Sequence, residues 1–146
     1  MTVHQAEPEY GPALLSMQIP VRWGELDVVG HLNHTEYLRY FEESRARWAQ
    51  AIGFPFRGTG EGMILLKASV TYKKQVNYPS KVDIALFAGE VGRSSFQMFN
   101  TLTIEGESSP AAIGEFVIVW FDFAAEKSIA IPAAVRAILE GKGTQV

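Results

Sequence analysis

The chain is 146 residues long, carries a formal net charge of −3, and is 47% hydrophobic and 20% charged, with no cysteine. That length suits one domain with a true core, and the apolar content excludes a disordered chain. The absence of cysteine excludes a disulfide framework, a cysteine-ligated zinc site and a thiol nucleophile, and the mildly acidic balance argues against nucleic-acid binding, which normally needs a basic excess.

The opening stretch MTVHQAEPEYGPALL lacks the basic start and apolar core of a secretory signal. No apolar run reaches the ~20 residues that a membrane-spanning helix needs. A soluble, cytoplasmic protein is therefore expected. Residues 1–16, with Pro8, Gly11, Pro12 and no clear period, read as a flexible N-terminal tail, and residues 17–146 as a single domain. Alternation at Met17, Ile19 and Val21 predicts a strand over Met17–Trp23, placed at a sheet edge because Pro20 has no N–H to donate. A polar turn, Gly24–His34, follows. Over residues 35–52, Tyr37, Phe41, Ser44, Trp48 and Ala51 recur at steps of four and three, which predicts a helix with these residues on one face. Leu38 and Ile52 widen that stripe, whereas Glu42, Glu43, Arg45 and Arg47 lie mostly off it. Asn33 and Thr35 are both suitable caps, and Gly53 and Pro55 stop the helix.

After a glycine-rich loop, Arg57–Gly62, the period changes to two. Strands are predicted over Ile64–Val76, Lys81–Gly89, Ser94–Glu105 and Ala112–Phe123, with turn residues between them. Short turns imply antiparallel pairing of successive strands. A closing helix is predicted over Ile131–Gly141, with Pro132 near its start and Gly141 near its stop. One long helix cannot cover both faces of such a sheet. The economical solution is an α+β fold in which a curved antiparallel sheet of about five strands wraps around one long central helix. In the Ala112–Phe123 strand, Val117, Val119, Phe121 and Phe123 alternate with Phe116, Ile118 and Trp120, so both faces call for burial. A second subunit is expected, as a homodimer or homotetramer.

Neither a Gly-x-Ser-x-Gly elbow nor a Walker loop occurs, and Gly58–Gly62 neither follows a strand nor opens a helix. The distinctive segment is the turn before the long helix, where Asp27, Gly30, His31, Asn33, His34 and Glu36 fall within ten residues. A helix N-terminus offers free N–H groups and partial positive charge, which can polarise a carbonyl. A carboxylate held beside it could attack that carbonyl or activate water. The plain alternative makes Asp27 a turn or capping residue. His31 and His34, three apart with Glu25, Asp27 and Glu36 nearby, form a loose set of nitrogen and oxygen donors. Their spacing is not that of a helical zinc site, and no metal is assigned.

The stretch VRWGELDVVGHLNHTEYLRYFEESR resembles the opening of the hot-dog-fold acyl-coenzyme A thioesterases. It is most similar to the 4-hydroxybenzoyl-coenzyme A thioesterase family and its Tol–Pal-associated relative. The matching residues are Glu25-Leu26-Asp27, Gly30-His31, Asn33-His34 and Tyr37. Val70–Val76, Gly92–Phe96 and Ile131–Leu139 resemble later family segments, so the resemblance spans about residues 17–141. Three departures are Glu25 in place of the first Asp, Trp23 in place of Tyr, and Pro79-Ser80 in place of a Gly-Asp turn. The resemblance implies a hot-dog fold and cofactor-free hydrolysis of an acyl or aroyl coenzyme A thioester. It implies Asp27 as nucleophile or general base, and His34 at the helix start, where its backbone N–H polarises the carbonyl. Gly30, His31, Asn33 and Tyr37 would bind substrate. Coenzyme A carries phosphates, which makes Lys73, Lys74 and Arg93 candidate cations, with Ser94 and Ser95 as donors. An acyl-carrier-protein substrate and a non-catalytic acyl-thioester-binding protein are the alternatives.

Overall fold

Period-two patterning over the C-terminal two-thirds of the chain becomes a single antiparallel sheet. The computed structural model describes residues 9–55, 57 and 60–142. In chain order they form β1 (Leu15–Pro20), a single 3-10 turn (Trp23–Glu25), α1 (His34–Ala51), β2 (Glu61–Tyr72), β3 (Lys81–Val91), β4 (Ser95–Ile104), β5 (Ala112–Asp122), β6 (Lys127–Ser128) and α2 (Ala133–Leu139). The strand order is β1-β3-β4-β5-β2, with the short β6 on β5. This is the hot-dog arrangement.

One expected pairing is absent. β2 and β3 follow each other in sequence but do not pair; β2 lies along β5, from Glu61 opposite Asp122 to Tyr72 opposite Ala112. The Asn77–Ser80 turn is thus part of a crossover and not a hairpin. The reason lies in its backbone partners. Lys73 and Lys74 donate to the Ala111 carbonyl, the Val76 carbonyl accepts from Leu32, and His31 bridges Asn77. The segment after β2 is spent on the loop that precedes α1, which ends β2 four residues before its predicted end.

β1 starts at Leu15 and ends at Pro20, and Trp23 sits on the 3-10 turn with 76% of its surface exposed. The end of the expected tail is packed: Leu14 is buried, and the Tyr10 ring stacks on Phe87 with centroids 4.5 Å apart. Residues 1–8, with His4, lie outside the described residues. β2 begins at Glu61, inside the expected loop, of which Gly58 and Thr59 lie outside the described residues. α2 starts two residues later than expected because Pro132 takes the extended backbone of an N-cap, at φ −54° and ψ 141°. Gly141 does end it, at φ +75°.

Asn33 caps α1, its Oδ1 accepting from the Thr35 amide at 3.1 Å. The helix buries Tyr37, Tyr40, Phe41, Ser44, Arg45, Trp48 and Ala49. Tyr40 and Arg45 join the inner face, whereas Ala51 and Leu38 are exposed. A curved sheet grips a wider arc of helix than a flat one, so flanking positions are covered too. The concave face supplies Val82, Ile84 and Leu86 of β3, Phe96, Met98 and Leu102 of β4, and Phe116, Ile118 and Trp120 of β5. One polar residue belongs to this layer. Asn100 Nδ2 donates to Ser44 Oγ at 2.9 Å and to the Ala85 carbonyl at 3.0 Å, pinning helix to sheet. On the convex face Val117, Val119 and Phe121 are half-buried. Among the described residues no helix is long and apolar enough to cross a membrane.

Candidate active site

Asp27 occupies a tight loop that its own side chain organises. Its amide donates to the His31 carbonyl at 2.7 Å, and its carbonyl accepts from Gly30 at 3.1 Å. Its Oδ1 accepts from the Val29 amide at 3.0 Å and the His31 amide at 3.1 Å. Gly30 turns the chain at φ +83°, a region that side chains disfavour. The half-buried carboxylate therefore has one oxygen committed to the loop. Oδ2 accepts no hydrogen bond among the described residues.

The loop is clamped to the start of α1. The Asn33 amide donates to the Glu25 carbonyl at 2.9 Å, and the Leu32 amide to Val76 at 2.8 Å. Glu25 also binds through its side chain, which accepts from the Tyr40 hydroxyl and from the Arg22 amide. His34 is the first residue of α1, and its own amide has no acceptor among the described residues. Its carbonyl accepts from the Tyr72 hydroxyl at 2.7 Å.

Asp27, His31, His34, Tyr37, Tyr72 and Lys73–Gln75 share one open cavity of about 300 Å³. The Tyr37 ring meets Tyr72 edge-on, centroids 4.9 Å apart, and the His34 imidazole approaches Tyr72 at 6.4 Å. Burial, then the neighbouring Tyr72 and the negative charge of Asp27, push the Tyr37 phenol up to about 12. It stays neutral at working pH, beside the carboxylate. The cavity thus gathers a carboxylate oxygen, an unengaged helix-start amide and a neutral phenol.

Among the sequence-predicted residues, Gly30 shapes the loop through its backbone and Asn33 caps the helix through its side chain, and neither lines the cavity. Lys73 and Lys74 do line it. Lys74 is ion-paired with Glu107 across an adjoining surface cleft. Arg93, Ser94 and Ser95 are not brought to it. Tyr72 lies opposite Ala112 and Ser95 opposite Val119. That is seven residues along β5, or ~23 Å at the usual strand rise. The Arg93 carbonyl instead accepts from Ile131 and Arg136, fixing α2. Sequence reasoning missed Tyr72 and the bracing role of Glu25. Tyr72 sits at the end of the alternating run, next to the lysine pair, but nothing local tells that its hydroxyl reaches α1. Among the described residues no three of His, Asp and Glu are grouped to hold a metal ion.

The chain is 35% identical over 79 residues to an Aquifex aeolicus protein provisionally named an esterase, a match spanning 52% of this chain and 62% of that relative. It is 23% identical over 135 residues to the long-chain acyl-CoA thioesterase FadM of Escherichia coli, covering 86% of this chain and 97% of FadM. The solved PA2801 protein of Pseudomonas aeruginosa, provisionally named a thioesterase, superposes with a TM-score of 0.83 at 34% identity, over 88% of this chain and 99% of its own. The family profile of the thioesterase-like superfamily matches residues 21–139. The chain belongs to the thioesterase-like superfamily, whose chemistry is thioester hydrolysis, and carries its hot-dog fold.

Proposed function

We propose that the protein hydrolyses acyl or aroyl thioesters of coenzyme A to the free acid and coenzyme A. The observation that carries this reading is the shared cavity of the Asp27 carboxylate and the unengaged His34 amide at the first turn of α1. A thioester carbonyl seated there places its oxygen against the His34 N–H, where the helix dipole favours the charge that develops. Asp27 either adds to the carbonyl carbon or takes a proton from the water that does. The carbon–sulfur bond then breaks, and the coenzyme A thiolate leaves as a stable anion; on the first route water then cleaves the acyl anhydride formed with Asp27, releasing the acid and restoring the carboxylate. Little acid assistance is needed, so the work is carbonyl polarisation and placement of the nucleophile. Lys73 and Lys74, at the cavity rim, suit the phosphates of coenzyme A. The long-chain acyl-CoA activity in the name of FadM agrees with this carrier.

The protein acts as a dimer in this reading. β2 is an edge strand with Leu65 47% and Leu66 69% exposed, a surface that soluble proteins normally cover. Arg93, Ser94 and Ser95 lie too far away to touch the same coenzyme A within one copy, and reach it only if a second copy supplies them.

The test is thiol release from a panel of acyl- and aroyl-coenzyme A esters, with the same acyl groups on acyl carrier protein alongside. Turnover on coenzyme A that collapses in Asp27→Asn supports the reading. Turnover confined to the carrier protein, or binding without turnover, overturns it.

A further inference from the structure

Among the described residues one buried charge forms no ion pair. Arg45, on the inner face of α1, is 5% exposed, and its Nη1 makes no hydrogen bond among the described residues. The guanidinium lies over the Phe116 ring, 4.2 Å from its centroid. A ring face attracts a cation but cannot accept the five N–H bonds that a guanidinium offers. Glu42, one turn back, is exposed and forms no ion pair with it among the described residues. Burial holds the Arg45 pKa down to about 10, against the opposing influence of Glu42, so the side chain remains charged at neutral pH.

Arg45 and Glu42 border a cavity of about 300 Å³ whose remaining walls are apolar: Leu38, Met63, Leu65, Ala68 and Ile118. That volume is at the lower end of those that hold small molecules. This cavity and the candidate active site share no lining residue, but both lie along the seam between α1 and β2. Tyr37 and Tyr72 stand at one end of the seam, Leu38 and Ala68 come next, and Arg45 and Met63 stand at the other. His34 and Arg45 are ~16 Å apart along the helix axis, and the arginine side chain leans back toward the N-terminus. An acyl chain running from a carbonyl at His34 along this seam would meet the guanidinium.

We propose that Arg45 selects acyl groups that carry a hydrogen-bond-accepting oxygen at the end remote from the thioester, seated in this apolar cavity. The inference rests on the thioesterase reading and specifies its substrate. A hydrocarbon end leaves the guanidinium desolvated and unpaired, whereas an oxygen gives it the acceptor it lacks, and a site with an unmet donor rejects analogues that cannot fill it. Two kinds of end share this chemistry. A carboxylate pairs with Arg45 but is opposed by Glu42; a hydroxyl accepts from Arg45 and can donate to Glu42.

The test compares kcat/KM for straight-chain acyl-coenzyme A esters of equal length ending in methyl, hydroxyl or carboxylate. The full chain is used as wild type, Arg45→Met and Arg45→Lys, with thermal melts checking that each variant is folded. The wild type should favour an oxygen-terminated ester over the methyl one. That ratio should fall at least tenfold in Arg45→Met and only partly in Arg45→Lys, whose ammonium still donates. Whichever of hydroxyl and carboxylate loses more identifies the end group. A ratio unchanged across the three proteins overturns the proposal. So does a ratio that holds while Arg45→Met weakens the dimer, because a second copy then supplies the acceptor. A wild type that cleaves the methyl series without any preference overturns this inference alone, and one that cleaves no ester overturns the thioesterase reading with it.

Discussion

The hydroxyl of Tyr72, the last residue of β2, donates to the carbonyl of His34, the first residue of α1, at 2.7 Å. This bond ties the end of an edge strand to the helix turn whose first residue lines the cavity. It fixes the turn while leaving the His34 N–H unengaged. Tyr72→Phe should remove ~1 kcal/mol of stability, the usual net worth of one hydrogen bond. It should lower kcat several-fold with little change in KM, because the amide is misplaced for the transition state more than for ground-state binding. Thermal melts and steady-state thioester hydrolysis check both. An unchanged kcat would show that the helix start is held without this bond.

Asp27 has two separable duties, and two substitutions part them. Its Oδ1 ties the loop through Val29 and His31, which an asparagine oxygen can still do. Asp27→Asn should therefore melt near the wild type while losing turnover by at least ~100-fold. Asp27→Ala loses the chemistry and both loop bonds, and should in addition destabilise the fold by ~1–2 kcal/mol. Equal melting of the two variants would mean that the loop does not depend on the side chain. Near-wild-type turnover in Asp27→Asn would make Asp27 a turn residue only.

Much of this layout is legible in the sequence, and the illegible part has a common cause. Periodicity located α1 to within one residue and identified β3, β4 and β5, because each buries one face against a continuous core. The Asp27-to-His34 loop stood out because its polar residues crowd against a helix start. Pairing of β2 with β5 was not legible: a short polar turn looks alike whether it closes a hairpin or begins a crossover. Charge normally means solvent, which puts Arg45 off the buried stripe, yet the curvature of the sheet carries it inside. Arg93, Ser94 and Ser95 were grouped with Lys73 and Lys74 by chemistry alone, and register separates them by most of the length of β5. Such facts follow from long-range pairing, which local spacing does not encode.

Glu25 departs from the first Asp of the acidic turn, and its carboxylate accepts from Tyr40 and from the Arg22 amide, bracing the Asp27 loop against α1. Removing one partner leaves the other unsatisfied in a half-buried setting. Glu25→Ala and Tyr40→Phe should each cost ~1–2 kcal/mol. The double variant should cost less than their sum, as expected for two residues in direct contact. Additive losses in denaturant unfolding would show that the two side chains act independently.

The tyrosines of α1 also set an alkaline limit. The Tyr37 phenol is raised from 10.0 to about 12, chiefly by burial, and Tyr40 is raised by burial and by its hydrogen bond to Glu25. Both are raised in the folded chain, so the folded state keeps protons that the unfolded state releases. Their contribution is complete below pH 10 and is lost as pH climbs through about 12 for Tyr37. The melting temperature should fall over that interval. Tyr37→Phe should flatten part of the decline while leaving the melting temperature near neutrality little changed. A wild type with a flat profile up to pH 12 would refute the shift.

Gly114 on β5 shows how tightly the helix is seated. An added Cβ there would stand 2.6 Å from Phe116 Cε2 and 2.9 Å from Phe41 Cδ2, and both rings are buried. The two rings already meet edge-to-face, centroids 5.8 Å apart, with Arg45 over Phe116, so neither has an easy retreat. The φ at Gly114 is not in the left-handed region, so the obstacle is packing and not backbone strain. Gly114→Ala should cost ~1–3 kcal/mol by overpacking. Phe41→Leu in the same chain, which vacates part of the clash, should recover some of that loss even though Phe41→Leu alone destabilises the protein. If Gly114→Ala melts like the wild type, the rings yield at no cost and α1 is held less closely against β5 than these distances require.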